Sequence, residues 1–258
     1  MKKAALVLIS AFVAIGLYLG LSSPSKKELS PDSLSPDVLG VPTENEGVEL
    51  SYQGKIYKAY YLKVPYAGEI TLIPNFSETL SSSEIAKANN CKAVISGGFY
   101  TPEGNPTGLF ISEGETRKSF VSSSLANAVY SINDFETPRI TPQTPRDHLR
   151  VALQAGPLLI ENSFVKDLSL IRDETARRVV VGVTGDNESV FMVIYDPTSS
   201  FMGPTLKSLP DLLELFQKQT SIELADAMNL DGGAHSAFFS VESILSEASS
   251  VGSFFCVK

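Results

Sequence analysis

A chain of 258 residues, 43% hydrophobic and 19% charged, can bury a full core, which excludes a disordered protein. Its length fits one strand-rich domain plus a leader. The formal net charge of -8 excludes a general binder of nucleic-acid backbones, because that affinity comes from clustered Lys and Arg. An anionic substrate must therefore be held locally, by a few donors.

At the N-terminus, Lys2 and Lys3 precede an uncharged apolar run over residues 4–21, and Ser22, Ser23 and Pro24 follow. That is the order of regions in a signal peptide. The run also reaches the length at which a helix spans a bilayer, and neither a clear small-x-small cleavage site nor a lipid-accepting Cys follows it. Residues 1–21 thus read as a cleaved secretion signal or an uncleaved membrane anchor. Both place the rest of the chain outside the cytoplasm: secreted, periplasmic or membrane-anchored. Residues 22–48 are rich in Ser, Pro, Asp and Glu and poor in apolar side chains, the composition of a disordered linker. The domain is residues 49–258.

Residues 55–64 and 69–73, rich in β-branched and aromatic residues between Gly and Pro, are predicted as a hairpin opening the domain. Ser81 and Glu84 have capping-box spacing, and Asn89 with Asn90 supplies a left-handed stop, which predicts a short helix leading into a buried strand at 92–95. The apolar runs 179–183 and 191–195 flank a polar turn at Gly185, Asp186 and Asn187, and predict a second hairpin. Leu209, Leu212, Leu213 and Phe216 recur at helical spacing behind Pro210, so an amphipathic helix should lie on the sheet. A short strand at 227–230 then delivers Asp231, and 253–257 is the last strand. Cys91 and Cys256 allow one disulfide or two buried thiols, and neither has the spacing of a zinc site.

Three glycine-marked segments stand at the ends of predicted strands: Ser96, Gly97 and Gly98 before Phe99 and Tyr100; Gln154, Ala155, Gly156 and Pro157; and Asn229 to Ser236 through Asp231, Gly232, Gly233, Ala234 and His235. Glycines after a strand let backbone N–H groups approach a ligand, although each segment alone is also what a tight turn looks like. Asp231 is the best acid or base, or else a turn Asp that bonds nearby backbone. Arg178 offers a planar fork to a phosphate, or is an exposed strand-end residue beside Arg177. His235 could protonate a leaving group or contact phosphate; His148 reads as solvent-exposed. Gln154 and Asn229, polar within apolar runs, need partners if buried, and suit a support role towards Asp231 or a sugar hydroxyl. Glu103 and Asn105 stand at the entrance. A glycosidase normally needs a second carboxylate, for which Glu103, Glu161 and Asp186 are candidates. A divalent metal on Asp231 and His235 is the alternative Lewis acid, but two ligands do not define a site.

In this order, together with Gly108 to Ile111 and Arg178 to Gly182, the motifs resemble the phosphodiester glycosidase family over residues 94–257. The resemblance is nearest to its bacterial, exopolysaccharide-biosynthesis-type branch, related to the lysosomal N-acetylglucosamine-1-phosphodiester uncovering enzyme. It implies an α+β fold, a mixed β-sheet domain with packed helices, and hydrolysis of a sugar 1-phosphodiester. Combined with the residue chemistry, it puts catalysis on Asp231, His235 and Arg178. Substrate contacts fall to Ser96, Gly97, Gly98, Gln154, Gly156, Asn229, Gly232, Gly233 and Ser236. The chain departs from the family pattern at Ser96, where Asn is usual, at Ala234, where a third Gly is usual, and at His235, where Ser is usual. The competing class is a non-catalytic glycan-binding or exopolysaccharide-assembly protein of the envelope using the same pocket. Expected partners are a carbohydrate or glycosyl phosphodiester, no nucleic acid, and a membrane through the N-terminal segment if it is uncleaved.

Overall fold

The computed structural model describes residues 47–101, 103–240 and 243–258. The predicted leader and all but the last two residues of the predicted linker lie outside the described residues. The strands, in chain order, are β1 (Val48–Tyr52), β2 (Lys55–Val64), β3 (Ile70–Pro74), β4 (Ala93–Ser96), β5 (Phe110–Ser112) and β6 (Glu115–Lys118). They continue with β7 (Ala128–Asn133), β8 (Pro138–Thr141), β9 (Leu149–Ala155), β10 (Leu158–Glu161), β11 (Phe164–Val165) and β12 (Arg178–Thr184). The last are β13 (Ser189–Tyr195), β14 (Leu224–Asn229), β15 (Phe238–Phe239), β16 (Ile244–Leu245) and β17 (Ser253–Val257). The α-helices are α1 (Ser82–Asn89) and α2 (Leu209–Thr220).

These strands form three sheets, ordered β1-β2-β13-β12-β14-β10-β11, β16-β15-β4-β17-β3 and β6-β5-β9-β7-β8. Every ladder among the described residues is antiparallel, which corrects the expected mixed sheet. Parallel neighbours need a crossover of a dozen or more residues, usually a helix, and α1 and α2 are too few to supply a set of them. The architecture is mostly β, with helices as accessories rather than a layer.

The opening hairpin is also not the expected one. β2 turns back on β1 through Gln53 and Gly54, both at positive φ as a tight two-residue turn requires. Its other edge is taken by β13 over seven paired residues, so no edge remains for β3. β3 pairs instead with β17 in the second sheet.

Other local signals appear where the sequence puts them. Ser81 Oγ accepts from Glu84 N while Ser81 N donates to Glu84 Oε2 at 2.8 Å, and Asn90 closes α1 in the left-handed region. In the β12–β13 hairpin, alternation sends Val180 and Met192 to one face and Val179, Val181, Phe191 and Val193 to the other. The first face receives Leu212, Leu213 and Phe216 of α2, with the Phe216 ring edge-on to Tyr61 at 5.0 Å. The second meets the other two sheets, and the rings of Phe191, Tyr130 and Phe255, one from each sheet, lie 5.1–6.1 Å apart at the junction.

Cys91, just past α1, and Cys256, in β17, form a disulfide with their Cα atoms 5.4 Å apart. It closes a loop spanning a sequence separation of 165 residues and ties the penultimate residue of the last strand to the helix before β4. Replacing both cysteines by Ala should lower unfolding free energy by about 2–5 kcal/mol, read as a shifted denaturant midpoint; an unchanged midpoint would mean that the cross-link does not constrain the unfolded chain.

Candidate active site

Asp231 follows β14, whose central position between β12 and β10 fixes the exit of the strand. The backbone is held from both sides: Leu230 N donates to Val179 O at 2.8 Å, and Asp231 N donates to Gly97 O at 2.9 Å. The second bond joins the seven-stranded sheet to the end of β4, so the glycines after β4 and the acid after β14 form one junction. There the chain folds tightly over Arg177. Gly233 N donates to Arg177 O at 2.8 Å, and a Cβ on Gly232 would lie 2.7 Å from the same oxygen. Gly233 adopts φ 61°, and residues Gly233–His235 make a single 3-10 turn.

A cavity of about 300 Å³ opens beside this junction. Phe99, Leu125 and Leu206 form apolar wall, while Arg178, Asn229 and Asp231 present polar groups. Burial pushes the Asp231 carboxyl up to about 7, opposed by the charge of His235 and by the Gly232 N–H, which donates to Oδ1 at 2.9 Å. Burial, together with the negative charge of Asp231, also pushes the Tyr100 hydroxyl up to about 12. At neutral pH the cavity therefore holds a carboxyl poised between its two forms, and Tyr100, within reach of its charge, keeps its proton.

His235 is exposed and is not part of this cavity wall. Its Nδ1 lies 2.7 Å from Tyr100 Oη and 3.1 Å from Ser250 O, and the two rings meet edge-on at 5.7 Å. With the proton on Nδ1 the ring donates to Ser250 O; with it on Nε2, Tyr100 Oη donates to Nδ1.

The two neighbouring arginines divide their work. Arg178, at the start of β12, lines the cavity, with Nε donating to Pro204 O at 3.1 Å, Nη2 donating to Glu174 O, and Asp173 at 3.7 Å. Arg177 is fully buried beneath the turn: Nε donates to Ser236 Oγ at 2.7 Å, and Nη2 donates to Ser236 O and Ser246 O. Ser236, expected to touch substrate, is 0% exposed, so its role is structural: it accepts from Arg177 and donates to Gly233 O.

Several other expected contacts are frame rather than pocket. Ser96 is 0% exposed, with Oγ at 3.5 Å from Asp231 O. Gln154 uses its whole amide on backbone: Oε1 accepts from Leu109 N and Val121 N, and Nε2 donates to Val121 O and Ala126 O. It clamps the segment carrying Leu125 and has no capacity left for a sugar hydroxyl. Gly97 and Gly98 pack on Ser253 and Leu153, and Gly156, at φ 148° before a cis Pro157, lies against Leu125 O. Asn229 does line the cavity; its Nδ2 donates to Gly156 O at 3.1 Å, and its Oδ1 is buried without a hydrogen-bond partner among the described residues.

The candidates for a second carboxylate are elsewhere. Glu103 lines a different cavity, Glu161 pairs with Lys166 at the edge of the first sheet, and Asp186 is exposed in the β12–β13 turn. The carboxylates that share the wall with Asp231 are Asp173 and Glu174, and Arg172 beside them makes no ion pair among the described residues. The sequence carries no periodic signal for this 172–174 stretch, which is coil. Nor does any group of three or more His, Cys, Asp or Glu side chains among the described residues gather as a metal site would require. His148 is exposed, as expected, and so is Asn105.

A carboxyl poised near neutrality, with guanidinium groups in the same wall of a cavity at the strand ends, equips a protein for hydrolysis of an anionic substrate. The phosphodiester glycosidase family model matches residues 89–257, and the chain belongs to that family. Among solved structures, it resembles the catalytic domain of zebrafish N-acetylglucosamine-1-phosphodiester alpha-N-acetylglucosaminidase, auto-inhibited by its pro-peptide. That match has 14% identity and a TM-score of 0.64, covering 86% of this chain and 84% of the other. A hypothetical protein from Synechocystis matches at 13% identity and a TM-score of 0.54, over 82% of this chain and 61% of its own. Both likenesses are of fold. No curated protein sequence matches.

The close approach of Gly232 to the Arg177 carbonyl sets a test. Gly232→Ala should cost about 1–3 kcal/mol because a backbone oxygen cannot step aside, whereas Gly185→Ala, with open space around it, should stay within about 0.5 kcal/mol of wild type. Equal effects in chemical denaturation would dismiss the packing argument.

Proposed function

We propose that the protein is an exported hydrolase that cleaves a sugar 1-phosphodiester in a cell-surface or envelope glycan or glycolipid. The observation that carries this reading is Asp231, set in a cavity that Arg172 and Arg178 also line, its carboxyl pushed up to about 7 by burial. Family membership supports the reaction class. The disulfide supports export, since such bonds persist in oxidising compartments, and so does the basic-then-apolar N-terminal sequence.

In this reading the phosphate lies at the guanidinium groups of Arg172 and Arg178, which neutralise its charge. Neutral Asp231 gives its proton to the phosphate oxygen as the bond to the anomeric carbon breaks. Water adds to that carbon and releases a proton to solvent, from which the Asp231 carboxylate is reprotonated, leaving a free sugar and a phosphomonoester. Solvent-oxygen labelling should then put the label in the sugar. Label in the phosphate would move the cleavage to the P–O bond.

The departures from the family pattern bear on the competing reading, a glycan-binding module without turnover. Ser96 is fully buried behind the Asp231 carbonyl, and Ala234 is exposed outside the cavity wall. Neither change removes a group from the cavity, which favours the enzyme.

Asp231→Asn should lower kcat on a chromogenic sugar 1-phosphodiester by about 10²–10⁴-fold. Wild-type kcat/KM should fall as pH rises above about 7, where the acid form of Asp231 is lost. Stability follows the same group. Its folded pKa lies above the unfolded value of 3.8, so the contribution of the protonated carboxyl is fully present below about pH 4 and is lost as pH rises through about 7. The Asn variant should therefore gain in Tm relative to wild type between pH 4 and 8; a pH-independent difference, with turnover unchanged, would remove Asp231 from the mechanism.

A further inference from the structure

Apolar side chains stand in water around the mouth of the Asp231 cavity. On one side is the coil after β6, where Phe120, Val121 and Leu125 are exposed and Leu125 is also part of the cavity wall. Gln154 donates to Val121 O and Ala126 O, which draws the two ends of this coil together. On the other side Leu170 and Arg172 line the cavity, and Ile171 between them is fully exposed.

Cations accompany these side chains. Exposed Arg117 and Lys118 end β6 just before Phe120, Arg172 follows Ile171, and none of the three makes an ion pair among the described residues. Of the nearby carboxylates, Asp173 is taken up by Leu206 N, Lys207 N and Arg178, and Glu115 lies at the far end of β6, which leaves exposed Glu174. Phe135, the most exposed ring among the described residues, shows the opposite pattern: it stands between Asp134 and Glu136 in the β7–β8 turn.

Apolar side chains on coil beside Lys and Arg match a lipid surface, where the apolar groups enter among the acyl chains and the cations meet anionic headgroups. A protein partner would call for a charge-poor apolar centre, which coil tips separated by Ser122, Ser123 and Ser124 do not make. An anionic surface also repels most of a chain of net charge -8, and so selects the face where unpaired cations lie. Among the described residues no helix is long and apolar enough to cross a membrane, so the contact is one of loops with the surface.

We propose that the mouth of the Asp231 cavity docks on an anionic lipid surface through Phe120, Leu125 and Ile171, and that the phosphodiester reaching Asp231 is the headgroup linkage of a glycolipid in that surface. The second half rests on the glycosyl-phosphodiester reading of the Asp231 cavity. Hydrolysis then leaves a lipid phosphomonoester in the bilayer and releases the sugar to water.

The chain contains no Trp, so a single introduced Trp reports alone. Ile171→Trp and Phe135→Trp are made in the full chain, so that any contribution of residues 1–46 to vesicle binding is common to both. With vesicles of phosphatidylcholine and phosphatidylglycerol, emission at position 171 should shift to the blue and be quenched by brominated acyl chains, and emission at position 135 should do neither. In phosphatidylcholine alone the response at 171 should fall; an equal response overturns the anionic preference. Equal quenching at the two positions, no quenching at 171, or a lipid-free blue shift at 171 that grows with protein concentration, as a second copy would produce, overturns the lipid face whatever the enzyme does. Hydrolysis gives the second measurement. With Phe120→Ser and Ile171→Ser combined, kcat/KM on a dialkylglycerol sugar 1-phosphodiester in vesicles should fall by about tenfold or more, while kcat/KM on the water-soluble chromogenic diester stays at the wild-type value. Equal losses on both substrates, or no loss on the vesicle-borne one, overturn the glycolipid as substrate. Failure of the wild type to turn over either diester strikes the hydrolase reading, and the fluorescence then decides the lipid face.

Discussion

Arg177 puts a cation where water does not reach and lets two stretches of the C-terminal chain close around it. Its guanidinium donates to Ser236 and to the carbonyls of Ser236 and Ser246, its carbonyl holds Gly233 N, and Phe201 covers it at 4.9 Å. Burial lowers its pKa to about 10, with the nearby charge of Glu247 opposing, so the group stays protonated. Among the described residues, no carboxylate lies within ion-pair distance and Nη1 has no hydrogen-bond partner. Burying such a charge costs several kcal/mol. The return is positional: one side chain fixes the turn after Asp231 and the segment behind it.

That segment is the second half of the arrangement. Ala248 and Ser249 donate to Ala234 O, Ser250 O meets His235, and the Glu247 carboxylate accepts from Ser82 N and Oγ at the start of α1. The chain between β16 and β17 is thus pinned to a helix at one residue and to the site at its neighbours. β17 then pairs with both β3 and β4 and carries Cys256 of the disulfide. The C-terminal strand also meets the site directly, because Gly97 N donates to Ser253 O at 2.8 Å and Gly97 O accepts from Asp231 N.

How much of this could be read from the sequence depends on the range of the interaction. The capping box at Ser81, the β12–β13 hairpin and the stripe of α2 are local, and their residues announce them. Strand partners are not local: β2 alone looks ready to pair with whatever follows, and only β13, more than a hundred residues on, shows that its edge is taken. The same holds in the site. Asp231 is visible because Gly232 and Gly233 follow a strand directly. Gln154 looks like a ligand contact because its partners, Val121 and Ala126, come from a coil that carries no pattern. Arg177 and Arg178 are adjacent, and a one-residue step in extended chain reverses the face, so composition could not say which one turns inward. Asp173 and Arg172 sit in coil, where neither periodicity nor capping marks a residue.

The hydrogen-bond pattern also divides the proton chemistry between the two groups that first drew attention. His235 Nδ1 lies between Tyr100 Oη and Ser250 O, and Tyr100, its own pKa pushed up to about 12, does not give up a proton near neutrality. Exposed Nε2 of His235 is left to exchange hydrogen bonds with water or a sugar hydroxyl. Asp231 is the opposite case. Desolvation favours its neutral form, which has a proton to give, and the ionised form that remains is eased by the field of His235. Proton donation in the proposed reaction therefore rests on Asp231, whose protonated form is lost as pH rises above about 7.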